Sequence, residues 1–527
     1  MTYGRPGVYV NETLIPAPVA SAGAANAAGA AIGAFPQGPS TVTLVTSWYD
    51  FVQKFGGFNA TYPATVGVNQ FFANGGSELY VRRVLGAGAA VASVSLPKSG
   101  GGNLGTASSV NKGADSNNLR VQVSGTATAN YYNLTVLKEV ETAYLGTNNA
   151  SGTNDVIVEQ FTNVRFDVAT SPDYAQTVVN ATSQYITLSL SSTGTPTTQA
   201  ISAVLPLTGG SDGSAPVTAD YTAVVPADGS SDFDSIARPL VIFAPNLYEK
   251  LVVDGDASAS TNLATVHDAL IAWANAGAGF AIIDTAPSLT VAQAIAYITA
   301  RTVSSQAAGY YPNYYVQDPL ARSPQALRKT SPAGAVAGIY LATDKSDGPF
   351  KSPAGINASI RTAVSLERAF TPADLDSLNS GTYVSGGSTV YGTSVNAIRN
   401  LPGAGVVVMG GRTLKQDGTA NKYVSTRRSL IYVKKQLQNL TEFAVFRNND
   451  AKLWDQLRTV ISVFLNEYRN QGGLRGTSPA QAYYVKVDSS INTPESIATG
   501  VVNIQVGVAL EYPAEFVVIN LSQITGN

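Results

Sequence analysis

Apolar residues fall into three kinds of run along this chain. The first kind is continuous. Residues 239–244 (Pro-Leu-Val-Ile-Phe-Ala) and 280–284 (Phe-Ala-Ile-Ile-Asp) show no alternation. Such runs predict strands buried on both faces, in a sheet covered by helices on either side. Residues 30–35, 41–46 and 79–84 read as further strands, and 405–410, three valines and a methionine between glycines, as another. The second kind repeats every three or four positions and predicts helices over 48–55, 66–72, 263–274 and 427–440. The clearest is 452–470, where Leu453, Trp454, Leu457, Ile461, Phe464 and Tyr468 form one stripe. Asn448, Asn449 and Asp450 can cap its start, and Gly472-Gly473 can end it. The third kind alternates. It predicts strands over 119–123 and 185–190. Residues 442–446, 482–487 and 501–508 read as further strands.

These runs divide the chain. Residues 1–20 hold three prolines and a short extended stretch at Val8, Tyr9 and Val10, and read as an arm. Residues 21–90 are α/β. Residues 91–235 are rich in Ser, Thr, Gly and Asn and read as a β-rich insertion. Residues 236–350 return to α/β, 351–512 form a last unit, and 513–527 a second arm. In that arm Val517, Ile519 and Leu521 alternate with Phe516 and Val518, so both faces are apolar. A strand of this kind suits burial inside a neighbour's layer. The predicted class is mixed α/β (α+β), multidomain.

Composition adds one thing. Of 527 residues only 13% are charged, about half the usual share. A surface so poor in charge is thinly protected against association, which suits one covered by other subunits. The net charge is −2, but residues 421–475 carry ten basic and four acidic side chains. A C-terminal unit polarised in this way fits an acidic partner. No basic platform interleaved with aromatics accompanies it, so no direct nucleic-acid contact is expected. The Ala/Gly-rich stretch near residues 19–34 is too poor in large apolar side chains to span a membrane or act as a signal core, so no membrane insertion is expected.

Chemistry finds little purchase. There is no cysteine and one histidine, His267, in a helical context. No Gly-x-Ser-x-Gly elbow accompanies it, so a helix-face histidine without chemistry is expected. Residues 405–413 are superficially like a phosphate-binding loop, but Val406 stands at the first glycine and Arg412 at the lysine. Asp344-Lys345-Ser346-Asp347-Gly348 lacks calcium-loop spacing and reads as a turn. The expectation is no enzyme, cofactor or metal. An α/β enzyme with a β-rich appendage, or a capsid or adhesin protein, are the competing readings.

Several blocks, taken in order, resemble the tail sheath family of contractile phage tails and related injection systems. They are Pro6-Gly7-Val8-Tyr9-Val10, Phe71-Phe72-Ala73-Asn74-Gly75-Gly76 leading to Tyr80-Val81-Arg82-Arg83-Val84, and Ser331-Pro332-Ala333-Gly334-Ala335-Val336-Ala337-Gly338. Gly403 to Leu414, Arg427-Arg428-Ser429-Leu430-Ile431-Tyr432, Phe446-Arg447-Asn448-Asn449-Asp450 and Pro513-Ala514-Glu515-Phe516-Val517 follow. The resemblance implies an inner sheath domain formed by both chain ends, an outer α/β domain, and hexameric rings stacked helically around an inner tube. It implies baseplate and tail-terminator partners, a place in the virion tail, assembly in host cytoplasm, and contraction without a cofactor. It leaves phage and phage-derived particle open. On this basis Val8, Tyr9, Val10, Phe516, Val517, Val518, Ile519 and Leu521 are expected in intersubunit strands, and Lys452, Arg458, Arg469 and Arg475 are candidates to face the tube.

Overall fold

The structure is a computed structural model that describes residues 27–139, 155–199, 203–277, 279–415 and 420–515. The arm residues Val8, Tyr9, Val10, Phe516, Val517, Val518, Ile519 and Leu521 lie outside the described residues.

The chain begins with β1 (Ala28–Gly33), β2 (Thr43–Val45), α1 (Trp48–Phe55), α2 (Ala64–Ala73) and β3 (Leu79–Arg83). After a long insertion come β4 (Leu240–Phe243), α3 (Ala259–Ala276), β5 (Gly279–Ile283), α4 (Val291–Thr299), β6 (Ala307–Tyr311) and α5 (Ala333–Ser346). Then follow β7 (Asn396–Leu401), β8 (Gly405–Val408), α6 (Val424–Thr441), α7 (Ala451–Asn470), β9 (Tyr483–Lys486) and β10 (Gln505–Val508).

Eight of these strands make one sheet in the order β2-β3-β1-β4-β5-β6-β7-β8. The six inner strands are parallel, and the two edge strands are antiparallel to their neighbours. Both faces are buried, which is why β4 and β5 read as unbroken apolar runs. Val241, Phe243, Phe280 and Ile282 point into one core with α1, α2 and α5. Leu240, Ile242, Ala281 and Ile283 point into the other with α3 and α4. Each such buried side chain contributes about 1.5–3 kcal/mol relative to exposure. Helix α5 comes close to α2 because Gly334 and Gly338 have no side chains. A Cβ at either would lie 2.1 Å from the Gly67 carbonyl oxygen or 2.3 Å from that of Phe71.

The insertion folds as two antiparallel sheets around its own core. Strands 91–97, 103–112 and 186–190 form one, and 119–125, 132–139, 155–164 and 205–206 the other. Its attachment to the body is organised by Arg83, at the end of β3 and 2% exposed. This guanidinium donates to the carbonyls of Phe35 (3.0 Å), Pro36 (3.2 Å) and Gly38 (3.1 Å) in the body. It also donates to the Lys112 carbonyl (2.7 Å), at the end of strand 103–112, and to the Asp212 carboxylate (2.9 Å), after strand 205–206, both within the insertion. Burying a cation is tolerated here because each guanidinium nitrogen has a partner.

Two local expectations are corrected. Residues 442–446 are not a strand: Glu442–Ala444 form a 3-10 turn. The apolar run there has no strand to pair with, because the segment is the reversal between α6 and α7, and Phe446 has a left-handed φ of 64° and is fully exposed. Residues 344–348 are not a free turn. Helix α5 runs through Ser346 and ends at Asp347. Asp344 is buried, where it takes an ion pair from α6.

Candidate assembly surface in the C-terminal unit

Helix α6 belongs to two cores at once. Val424 and Ile431 pack into the core of the large sheet, while Tyr432 and Val433 pack with α7 and the β9–β10 pair. Asp450 caps α7, its side chain accepting from the Leu453 N–H at 2.9 Å. The buried stripe of α7 is Leu453, Leu457, Ile461, Leu465 and Tyr468. Leu465 was missed in the sequence pattern. Trp454 leaves the stripe because its indole N–H donates to Asn449 Oδ1 at 2.8 Å.

Between α5 and α6 lies a buried polar junction. The Arg428 guanidinium donates to Asp344, with side chains 3% and 1% exposed, and stacks 4.5 Å above the Tyr340 ring. Burial pushes the Asp344 carboxyl up, and Arg428 opposes that shift. Asp344 Oδ1 and Arg428 Nη1 have no partner among the described residues. Nearby, the Ser429 and Tyr468 hydroxyls are 2.6 Å apart.

Strands β9 and β10 pair antiparallel, Tyr483 opposite Val508 and Lys486 opposite Gln505. They form a sheet of two strands, and their outer edges carry no further strand among the described residues. One face, with Tyr483, Val485, Val506 and Val508, packs against α7. On the other face Tyr484 is half-exposed and lies over Gly507, where a Cβ would come 2.1 Å from its ring. A lone two-stranded sheet is marginal by itself, and open edges are templates for added strands. Beyond β10 the chain runs back along the body. The Arg475 N–H donates to the Ala509 carbonyl (2.8 Å), the Thr426 hydroxyl donates to the Glu511 carbonyl (2.9 Å), and Tyr512 meets Tyr423 edge-on.

The four basic candidates do not form one patch. Lys452 is exposed at the start of α7, and Arg469 lies seventeen residues on, about 25 Å along the helix. Arg458 is occupied by the Val487 carbonyl (2.6 Å) and Asp455 (3.1 Å), and Arg469 by the Thr477 carbonyl (3.1 Å). Arg475 is exposed beside the β9–β10 pair.

The histidine is more than a helix-face residue. His267 is 1% exposed on α3. Its Nδ1 is 2.9 Å from the Tyr297 hydroxyl, and its Nε2 is 3.5 Å from Asp284, which follows β5. The ring is sealed from solvent and has no nucleophile to activate. Burial, with Arg301 second, pushes the imidazole down to about 3, and burial pushes the Asp284 carboxyl up to about 7. The two oppose each other in the pH dependence of stability. The folded state keeps a proton on Asp284 that the unfolded chain releases, so that contribution falls as pH rises from about 4 to 7. The unfolded chain protonates His267 where the folded state does not, so that contribution grows as pH rises from about 3 to 6.5. Between pH 4 and 6.5 they cancel, at about 1.4 kcal/mol per pH unit each. His267→Gln removes one side. Relative to the parent, the variant is expected to lose about 1.4 kcal/mol per unit from pH 5 to 6.5 in urea unfolding. A pH-independent difference would contradict this account.

Among the described residues no group of three or more His, Cys, Asp or Glu is placed to hold a metal ion, and no helix is long and apolar enough to cross a membrane.

The architecture matches solved structures along almost its whole length. It superposes on the contracted helical sheath of the anti-feeding prophage with a TM-score of 0.56 at 20% identity, covering 99% of this chain and 100% of that one. The chain has the contractile-sheath fold. The same fold recurs in the contracted sheath complex of PVC, an extracellular contractile injection system (TM-score 0.51, 19% identity, 99% and 98% covered). It recurs too in a sheath tail protein from Listeria innocua (TM-score 0.57, 13% identity, 89% and 90% covered). In sequence, 147 residues are 26% identical to the tail sheath protein of Vibrio phage KVP40, covering 27% of this chain and 20% of that protein. The match therefore spans about one fifth of that curated relative. No protein-family model matches the chain.

Proposed function

We propose that this chain is the structural subunit of a contractile tail sheath. Copies stack as hexameric rings around an inner tube and, on a baseplate signal, shorten and widen to drive the tube through the target envelope. A terminator caps the far end, assembly takes place in the host cytoplasm, and the mature place is the tail of a phage or phage-derived particle. The observation that carries the reading is the sheath fold along 99% of the chain. The β9–β10 pair supports it. Added strands at open edges gain main-chain hydrogen bonds, each worth about 0.5–1.5 kcal/mol net. The arm residues around Val8–Val10 and Phe516–Leu521 are the strands we assign to a neighbour's edges, the C-terminal one with the stronger case. Four to six such bonds hold subunits together by several kcal/mol while linkers let them rotate. The sealed His267 site fits a non-enzymatic role.

The test is electron microscopy of the purified chain. Hollow, contracted-type tubes are expected, and a stable monomer with a turnover activity would overturn the proposal. For the tube-facing role, Lys452 and Arg475 are the informative pair, since Arg458 and Arg469 are engaged within the subunit. Lys452→Glu with Arg475→Glu is expected to reduce loading onto the tube while sparing contracted tubes. Unchanged loading removes that role.

A further inference from the structure

The glycine-rich stretch ending in Gly410-Gly411-Arg412 lacks phosphate-loop spacing, and its arginine has another use. Arg412 is held from behind. Its N–H donates to Asn396 Oδ1 (2.8 Å), and its carbonyl accepts from Asn396 Nδ2 (2.8 Å). Asn396, buried on β7, also donates to the Gly309 carbonyl of β6 at 3.1 Å, so the arginine's backbone is tied to the large sheet. The chain passes close enough that a Cβ at Gly410 would lie 2.6 Å from the Asn396 backbone. Arg412 Nη1 donates to the Asn379 carbonyl (2.7 Å) and to Ser394 Oγ (3.2 Å). One edge of the guanidinium remains, and it is filled by Glu515. Nε meets Oε1 at 2.5 Å and Nη2 meets Oε2 at 2.7 Å.

A fork-on-fork pair of this kind adds direction as well as energy. The side chains are only 14% and 24% exposed, so solvent weakens it less than an open surface pair. Arg412 and Glu515 are 103 positions apart in sequence. The pair therefore joins the rim of the large sheet to the last described residue, just before 516–527.

We propose that Arg412 is a positioning residue: it latches Glu515 and so fixes the point on the large sheet from which the chain continues into residues 516–527. What that segment then does rests on the sheath reading; the latch does not. Without the latch, the last fixed contact is Tyr512 against Tyr423. Three further residues would then swing over roughly 10 Å. That is about two strand spacings, enough for the following strand to miss a neighbour's edge.

The experiment uses the full chain with Glu515→Gln, an isosteric change at a partly exposed position, and Arg412→Lys, which keeps the charge and loses the fork. Chymotryptic cleavage after Phe516, normalised to the rate in the denatured chain, is followed in the unassembled protein, and tube yield is counted by electron microscopy. Both variants are expected to melt with the parent, to be cut about tenfold faster there, and to give fewer tubes. Glu515→Asp, which keeps the carboxylate, should fall between them and the parent. An unchanged cleavage rate overturns the latch. Faster cleavage with undiminished tube yield overturns the positioning role. If the parent itself forms no tubes, the sheath reading fails and the cleavage comparison still decides the latch.

Discussion

A chain shortened by residues 516–527 is expected to fold normally and form no tubes. The described body ends its contacts at Glu515, which stays in place in this truncation, so the cores of the large sheet, the insertion and the α7 unit are untouched. What is lost is a segment in which apolar Val517, Ile519 and Leu521 alternate with Phe516 and Val518, the pattern we assign to a donated strand. A donated strand of four to six hydrogen bonds, at about 0.5–1.5 kcal/mol each, contributes several kcal/mol per contact. In a lattice where every subunit makes that contact, its loss multiplies. The check is sedimentation and electron microscopy of the truncated chain beside the parent, with circular dichroism to confirm folding. Normal tubes would show that assembly does not use this segment. The truncation differs in kind from loosening the Glu515 latch, which leaves the segment present but less firmly anchored at its start, so a graded loss is expected there and an all-or-none loss here.

The second large effect is Asp344→Ala. It leaves the Arg428 guanidinium buried without its carboxylate, between α5 and α6. Breaking a buried pair by removing one partner typically costs about 3–5 kcal/mol, because the remaining charge is uncompensated. Replacing both, as Asp344→Leu with Arg428→Met, removes the charge problem and is expected to cost much less, or nothing. Urea unfolding of the three chains decides it. If the double variant is as unstable as the single one, the loss is one of packing and not of an orphaned charge. The position gives the effect reach: α5 packs on the large sheet and α6 shares the core of α7. Loosening this junction loosens the C-terminal unit against the rest.

The elements that the sequence announced are those whose burial pattern is local. β4 and β5 are unbroken apolar runs because helices cover both faces, and α7 is a stripe with a cap at Asp450. The alternating runs that found partners, such as 119–125 and 186–190, are strands. The apolar run at 442–446 also reads as a strand and found no partner, since pairing is a property of two segments and pattern a property of one. The same reason hides the site. Arg412 meets Glu515, Arg428 meets Asp344, and Arg83 meets Asp212, at separations of 103, 84 and 129 positions. No local spacing marks such pairs. Arg83 and Arg428 each follow another arginine, and nothing in the sequence says which of the two is buried. His267 sits on a predicted helix, but its burial comes from Tyr297 and Asp284 on other elements.

Arg83 has a consequence for how the molecule tolerates change. One guanidinium reaches the Lys112 carbonyl, at the end of strand 103–112, and the Asp212 carboxylate, after strand 205–206, while its Nε and remaining bonds hold the body. Both contacts lie inside the insertion, a hundred positions apart in sequence, and they meet at one side chain only when the insertion's own sheets have formed. Arg83 thereby couples the folding of the insertion to β3 of the large sheet. A graft or deletion that separates Lys112 from Asp212 would leave a buried cation without its carboxylate, so the tolerance of the insertion to change is set by whether those two groups still converge.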